Sequence, residues 1–351
     1  MKSYNFGFRK RKKYNFPYSL LSNGSGDSIR CLFLAHCSFH PTAEVGLLRS
    51  LTRLYLKFVR ITGDELGSLL SNSLALEQVE IVSCDKIVCM KIPNMLHRLS
   101  FLKVEGCDKL KLIDSEAPNI TRFCFAREPS TQLSLGESLQ MKNLLLLCDK
   151  MVFYTRVHLP LSMPNLETLD IVSHREVANT TIMPSKFLHL KQIMISFASY
   201  SFNPAYDYVS LASFIDACPS LEFLDLNVKQ RVMKHVSIFE DTSEMRHLRE
   251  QQHHNLKYVR IVGFTSAKSL IELTCHVIGS ATSLEWLSLE PHHSGLRCSE
   301  RESGKCTPLP MNIIVEAHRG LLAIRKYIEP KVPPTVKLQV VELCSCHPSV
   351  P

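Results

Sequence analysis

The residues best able to do chemistry in this 351-residue chain are its 15 histidines and 13 cysteines. His247, His253 and His254, then His292 and His293, cluster as metal ligands do, but they stand in polar stretches without partner ligands at defined spacing and read as solvated loop. Cys298 and Cys306, with Cys344, Cys346 and His347, offer thiolates and an imidazole for zinc near the C-terminus. Their C-x7-C and C-x-C-H spacings differ from the usual zinc motifs, so structural thiols are the simpler reading. The glycine-rich "NGSGDS" lacks the lysine and following helix of a phosphate loop and reads as a turn. Nothing marks a Ser/His/Asp set or a carboxylate pair as convergent. The chain is therefore expected to be no enzyme, with no catalytic residue, metal or cofactor.

A different pattern does recur. "ALEQVEIVSC" at 75–84 returns 23 residues later as "RLSFLKVEGC" at 98–107, on the skeleton L-x-x-(L/V)-x-(I/V)-x-x-C. Eleven copies of its apolar pattern begin at Ile29, Leu51, Leu76, Leu99, Ile120, Met141, Leu166, Leu190, Leu221, Leu256 and Leu284, at intervals of 22, 25, 23, 21, 21, 25, 24, 31, 35 and 28 residues. Most of these intervals are those of leucine-rich repeats, each of which adds one short parallel strand to a solenoid. Apolar residues two apart, such as Leu169 with Ile171 or Leu287 with Leu289, enter the core while the residues between them face outward. Cys37, Cys84 and Cys107 fit small buried residues at the turn leaving the strand. The expected fold is α/β: a leucine-rich-repeat horseshoe with a parallel sheet on its concave face and short helices or turns on its convex face.

On the return paths, "GDELGSLLSNS" and "VSLASFIDACPS" read as helices, the latter with Leu211, Phe214, Ile215 and Cys218 at helical spacing, whereas "DSEAPN" is too short for one. Prolines 118, 164 and 219 suit rigid turns before strand phrases. The polar excursion over 227–255 reads as a mobile loop. "PMNIIVEAHRGLLAIRKYIEP" fits a helix with Ile314, Ala317, Leu321, Ile324 and Ile328 on one face, and "PPTVKLQVVELCSC" a last strand. The organisation expected is a basic, partly disordered tail over 1–28, repeats over 29–308 and a C-terminal cap over 309–351.

Composition agrees with this. With 45% apolar residues the chain can bury a large core, and its length exceeds that of most single cores. The net charge of +8 is concentrated, five positive charges standing together at Arg9, Lys10, Arg11, Lys12 and Lys13. That run reads as a solvated tail or a nuclear-import signal; nucleic-acid binding is disfavoured because no aromatic platform accompanies it. No apolar run approaches ~18 residues and no secretory leader is visible, so a membrane span is not expected. The odd cysteine number then reads as reduced thiols of the cytosol or nucleus, and the sequons at Asn23, Asn119 and Asn179 as chance.

"LLSNSLALEQVEIVSCDKI", "LKYVRIVGFTSAKSLIELTCHVIGSATSLEWLSLEP" and the ending "EAHRGLLAIRKYIEPKVPPTVKLQVVELCSCH" resemble the leucine-rich half of plant F-box/LRR proteins of the FBD-bearing type. In that family an F-box with an L-P-x-x-(I/L)-L core docks on the adaptor of a Skp/cullin/F-box ubiquitin ligase, and the repeats choose the substrate. No such core stands in the 28 residues before Ile29, so docking on the ligase adaptor through this chain alone is not expected.

The function expected is protein–protein interaction on the concave face, resembling substrate recognition by an F-box receptor; the alternative is a truncated paralogue without binding of its own. An extracellular receptor-like array would need a leader and cysteine-paired caps that are not found. The outward strand positions are Arg53, Tyr55 and Lys57; Gln78 and Glu80; Phe101, Lys103 and Glu105; Thr168 and Asp170; Phe223, Asp225 and Asn227; Tyr258 and Arg260; Trp286 and Ser288. Phe101, Phe223, Tyr258 and Trp286 share one phrase position and either anchor a partner or pack along the ladder. Asp225 and Arg260 would flank them as rim charges.

Overall fold

The computed structural model describes residues 14–17, 19–22, 28–41, 48–126, 131–135, 139–176, 178, 185–197, 206–228, 235–241, 243–248, 251–291 and 310–342. The chain forms two compact units, Met1–Gln140 and Met141–Pro351, taken in turn.

The first unit contains strands β1 (Tyr14–Asn15), β2 (Cys31–Ala35), β3 (Cys37–Ser38), β4 (Arg53–Lys57), β5 (Gln78–Val82), β6 (Cys89–Ile92), β7 (Phe101–Glu105), β8 (Leu112–Ser115), β9 (Arg122–Ala126) and β10 (Gln132–Ser134), with helices α1 (Ser19–Ser22) and α2 (Gly63–Ser71). Its main sheet runs β2-β4-β5-β7-β9, all parallel. Each of these strands starts two residues after the first apolar residue of its phrase. Register sets like against like, so that Leu54, Val79, Leu102 and Phe123 lie side by side, as do Leu56, Ile81, Val104 and Phe125. All eight are buried. A one-residue slip would turn every one of them to the other face, so the apolar alternation itself fixes the register.

The strands end by a shared device. His36, Phe58, Ser83 and Gly106 occupy the same position and have φ of 54°, 53°, 53° and 62°. Their N–H groups donate to the last carbonyl of the neighbouring strand, from His36 to Lys57 at 3.0 Å, Phe58 to Val82 at 2.9 Å, Ser83 to Glu105 at 2.7 Å and Gly106 to Ala126 at 3.0 Å. Left-handed backbone costs a non-glycine residue roughly 1–2 kcal/mol, which the continued hydrogen-bond ladder offsets. Cys37, Cys84 and Cys107 follow at the next position and are buried, as expected. The Cys84 N–H meets Cys107 Sγ at 3.4 Å, and its own thiol faces Leu56 O at 3.6 Å, so sulfur helps stitch one repeat to the next.

On the return side α2 opens with a capping box, Thr62 N–H donating to Glu65 Oε2 at 2.7 Å and Glu65 N–H to Thr62 Oγ1 at 3.3 Å. A Cβ on Gly63 would stand 2.0 Å from Cys89 O, so only glycine lets α2 approach β6 this closely. The expectation of helices or turns here is incomplete: β6, β8 and β10 form a second parallel sheet. Met90 with Ile92, and Ile113 with Ser115, bury alternate residues there, the period of a strand.

The second unit contains β11 (Asn143–Asp149), β12 (Thr168–His174), β13 (Gln192–Phe197), β14 (Phe223–Val228), β15 (Tyr258–Val262), β16 (Trp286–Glu290) and β17 (Lys337–Val340), with α3 (Met151–Ser162), α4 (Ala212–Asp216), α5 (Lys268–Ser280) and α6 (Met311–Ala323). The seven strands form a parallel sheet in chain order. β11 and β12 are two residues longer than the main-sheet strands of unit 1, and their left-handed turn residues, Lys150 (φ 54°) and Arg175 (φ 45°), stand two positions later. Gly263 (φ 74°) turns the chain after β15, where a Cβ would meet Val228 O at 2.1 Å. α4 buries Phe214 and Ile215, with Leu211 before it and Cys218 after it, and α6 with its continuation buries Ile314, Ala317, Leu321, Ile324 and Ile328.

Two features overturn local expectations. The described part of the 227–255 excursion is packed: Ser237 bridges to Ala267 and His253 to Ala281, and Ile238 is buried. Helix α3 was not foreseen. Its N-terminus has no side-chain cap of its own, and the buried Glu176 of the next repeat takes that place, accepting from Val152 N–H at 3.0 Å and Phe153 N–H at 3.3 Å.

Candidate functional site

The sheet alternation that buries one set of residues presents the other as outward rows in each unit. In unit 1 the first row is Cys31, Arg53, Gln78, Phe101 and Arg122, and the second Phe33, Tyr55, Glu80, Lys103 and Cys124. Lys57 and Glu105 belong to the third. Arg53 and Lys57 are exposed, while Tyr55, Glu80, Phe101 and Lys103 are half-buried among their neighbours. The Tyr55 hydroxyl donates to Gln78 Oε1 at 3.3 Å, the Arg122 guanidinium lies 5.7 Å from the Phe101 ring centre, and Lys103 pairs with Glu105 at 2.9 Å. Phe33, exposed by 63% beside Tyr55, was missed because the first phrase was read only for its buried residues.

In unit 2 register sets Phe223 beside Tyr258 and Tyr258 beside Trp286, with Gln192 and Lys337 on either side of these three and Thr168 and Asn143 continuing the row beyond Gln192. Tyr258 is 40% exposed, and its hydroxyl donates to Glu285 Oε2 at 3.1 Å; Phe223 and Trp286 are half-buried. Just before the strands stand Lys142, Glu167, Lys191, Glu222, Lys257 and Glu285, alternating in sign from repeat to repeat. Their backbones form one ladder, Lys191 N–H donating to Glu167 O at 2.9 Å and Glu222 N–H to Lys191 O at 2.8 Å. Stacking opposite charges on adjacent repeats avoids the repulsion that a single sign would impose, and the row borders the aromatic one.

The middle row of unit 2 corrects the rim-charge expectation. Asp225 is only 5% exposed and already paired, with Arg260 Nη1 at 3.3 Å, and Arg260 Nε donates to the buried Glu290 at 2.9 Å. Burial holds the Asp225 carboxyl above the usual carboxylate range in spite of Arg260. Ser288, also an outward position, is 2% exposed. Asp170 is half-buried and, unlike Asp225, has no cation beside it in register.

The polar clusters away from this face serve the fold. His253, read from sequence as solvated, is 0% exposed; its Nε2 and that of His276 both contact Asp216 Oδ1 at 3.2 Å. Ser266, His235 and Glu316 also meet, but Glu316 and Ser266 face the same imidazole nitrogen, at 3.2 and 3.5 Å, which is not the relay of a nucleophilic triad. A cleft of ≈ 340 Å³ includes Asp207, Asp241, Arg246, Lys268 and Glu272 in its lining, and these charges pair with one another. Among the described residues no three His, Cys, Asp or Glu side chains are placed to hold a metal ion, and no helix is long and apolar enough to cross a membrane. The basic run at 9–13, Asn23, Asn179, His292, His293, Cys298, Cys306, Cys344, Cys346 and His347 lie outside the described residues.

The sequence profile of the At1g61320/AtMIF1 LRR-domain family matches residues 4–345. No curated protein matches the chain.

Proposed function

The chain belongs to the At1g61320/AtMIF1 LRR-domain family, and from that premise we propose that it is a non-enzymatic module that binds a protein partner on the outward face of its parallel sheet. The observation that carries the reading is the row Phe223–Tyr258–Trp286, three aromatic side chains on adjacent strands at one outward position. Aromatic side chains supply large contact area at low entropic cost, and hot spots concentrate in them. On one side the row is bordered by the alternating charges Lys191, Glu222, Lys257 and Glu285, in keeping with the polar rim of a protein interface. The resemblance to F-box substrate receptors supports a finer reading, in which the partner is a protein presented for ubiquitination. Thiols at Cys31, Cys84, Cys89, Cys218 and Cys275 support an intracellular setting.

Photo-crosslinking tests this. A benzoyl-phenylalanine in place of Tyr258 is expected to capture the partner in native tissue extract, whereas one in place of Leu322, exposed on α6, is not. Equal capture from both positions would count against the sheet face as the site.

A further inference from the structure

The middle outward row of unit 2 reads Leu145, Asp170, Met194, Asp225, Arg260, Ser288, Gln339, each beside the next by strand register. Its two aspartates are treated differently. Asp225 has Arg260; Asp170 lies between a leucine and a methionine, and no hydrogen bond or ion pair reaches its carboxylate among the described residues. Burial first, and then the Asp225 charge, hold the Asp170 carboxyl above its usual range. A half-buried carboxylate with apolar neighbours and a like charge nearby destabilises the free protein. Asparagine would fill the same space without that cost.

An independent observation on the same face points to a missing donor. Asn227 Oδ1, two residues beyond Asp225 on β14, is buried with no hydrogen-bond partner. An anionic ligand would be repelled by Asp170 and Asp225, and a neutral donor would leave the charge uncompensated. A cation carrying several N–H donors satisfies both needs. Strands lie about 4.8 Å apart, so the two aspartate backbones stand roughly 10 Å apart with Met194, 41% exposed, between them. That floor suits the alkyl stem of a long basic side chain, and a guanidinium has five donors in one plane.

Building on the interaction-module reading, we propose that the partner lays an apolar segment along this face and inserts one cationic side chain, an arginine or lysine, over Met194 between Asp170 and Asp225. It gives Asp170 the pairing that Arg260 gives Asp225.

The test is selection of a phage-displayed random peptide library on the full chain. Peptides enriched on the wild type are expected to share one arginine or lysine. Changing it to glutamine, or changing the protein by Asp170→Asn, is expected to weaken binding about tenfold, with no further loss when both are changed. Asp170→Asn alone is expected to melt no lower than the wild type. Peptides that bind Asp170→Asn as tightly as wild type but lose affinity with Trp286→Ala would overturn the cation site and leave the interaction face standing. Peptides indifferent to both changes, or an empty selection, would overturn the face as well. A lowered melting temperature for Asp170→Asn would make Asp170 structural and end the proposal.

Discussion

Arg260→Met separates an internal role of this side chain from a role in recognition. Its guanidinium joins Asp225 (3.3 Å) to Glu290 (2.9 Å), and both carboxylates are nearly fully buried. Removing one partner of a buried ion pair costs roughly 3–5 kcal/mol because the remaining charge is stranded. The Arg260 side chain is 32% exposed, so solvent screens part of the interaction, and about 2–3 kcal/mol is the appropriate estimate. Unit 2, Met141–Pro351, is of a size at which 1 kcal/mol moves the unfolding midpoint by about 2–4 °C, so a fall of roughly 5–10 °C is expected at pH 7. The pH dependence carries the sign of the effect. Asp225 is held above its usual value, so above a pH of about 4 the folded state binds more protons than the unfolded one, and this group's contribution to stability grows as pH falls. Without Arg260 that rise is larger. The deficit of Arg260→Met against wild type is therefore greatest at pH 7 and narrows toward pH 4, as read by urea unfolding followed by circular dichroism. A variant as stable as wild type at pH 7, or a deficit that widens on acidification, would refute the reasoning.

Glu176→Ala should cost about 2–3 kcal/mol, because it leaves two N–H groups of α3 and the Ser173 hydroxyl without their acceptor; thermal unfolding checks it. Asp216 and Glu316, hydrogen-bonded to histidines, lie below the usual carboxylate range despite burial. Their stabilisation is complete above a pH of about 4 and is lost as pH falls through the depressed values. Asp216→Ala should therefore be less stable at pH 7 and show a shallower acid loss than wild type. Burial pushes the Cys84 thiol up to about 12 and raises Cys218 as well, so brief alkylation of the native protein should label exposed Cys31 and spare these two. Denatured protein should yield free thiols throughout, and chelators should leave the melting temperature unchanged; a drop would instead support zinc at the C-terminal cysteines.

The elements that could be read ahead of the structure were those whose signal is local. Leu169 and Ile171, or Leu287 and Leu289, carry the strand period within three residues, and a strand begins two residues into each of the eleven phrases. What escaped depends on residues distant in sequence. Helix α3 starts where Glu176, in the following repeat, caps it. β6 and β8 show two buried residues apiece, too short a pattern to stand out until they pair with each other. His253 looks like a solvated loop residue until Asp216, 37 positions earlier, is seen beside it. On the candidate face, orientation was legible from strand alternation but burial was not. Asp225 faces outward as the period demands, and its pairing with Arg260 depends on register between strands 35 residues apart.

The measurement that bears most directly on the interaction-module reading is the affinity of the captured, purified partner for Tyr258→Ala/Trp286→Ala, taken beside the melting curve of that variant. Loss of about 2 kcal/mol, roughly thirtyfold in Kd, with an unchanged midpoint is the expected result. An unchanged affinity, or a variant that no longer folds, would contradict it and return the aromatic row to packing alone.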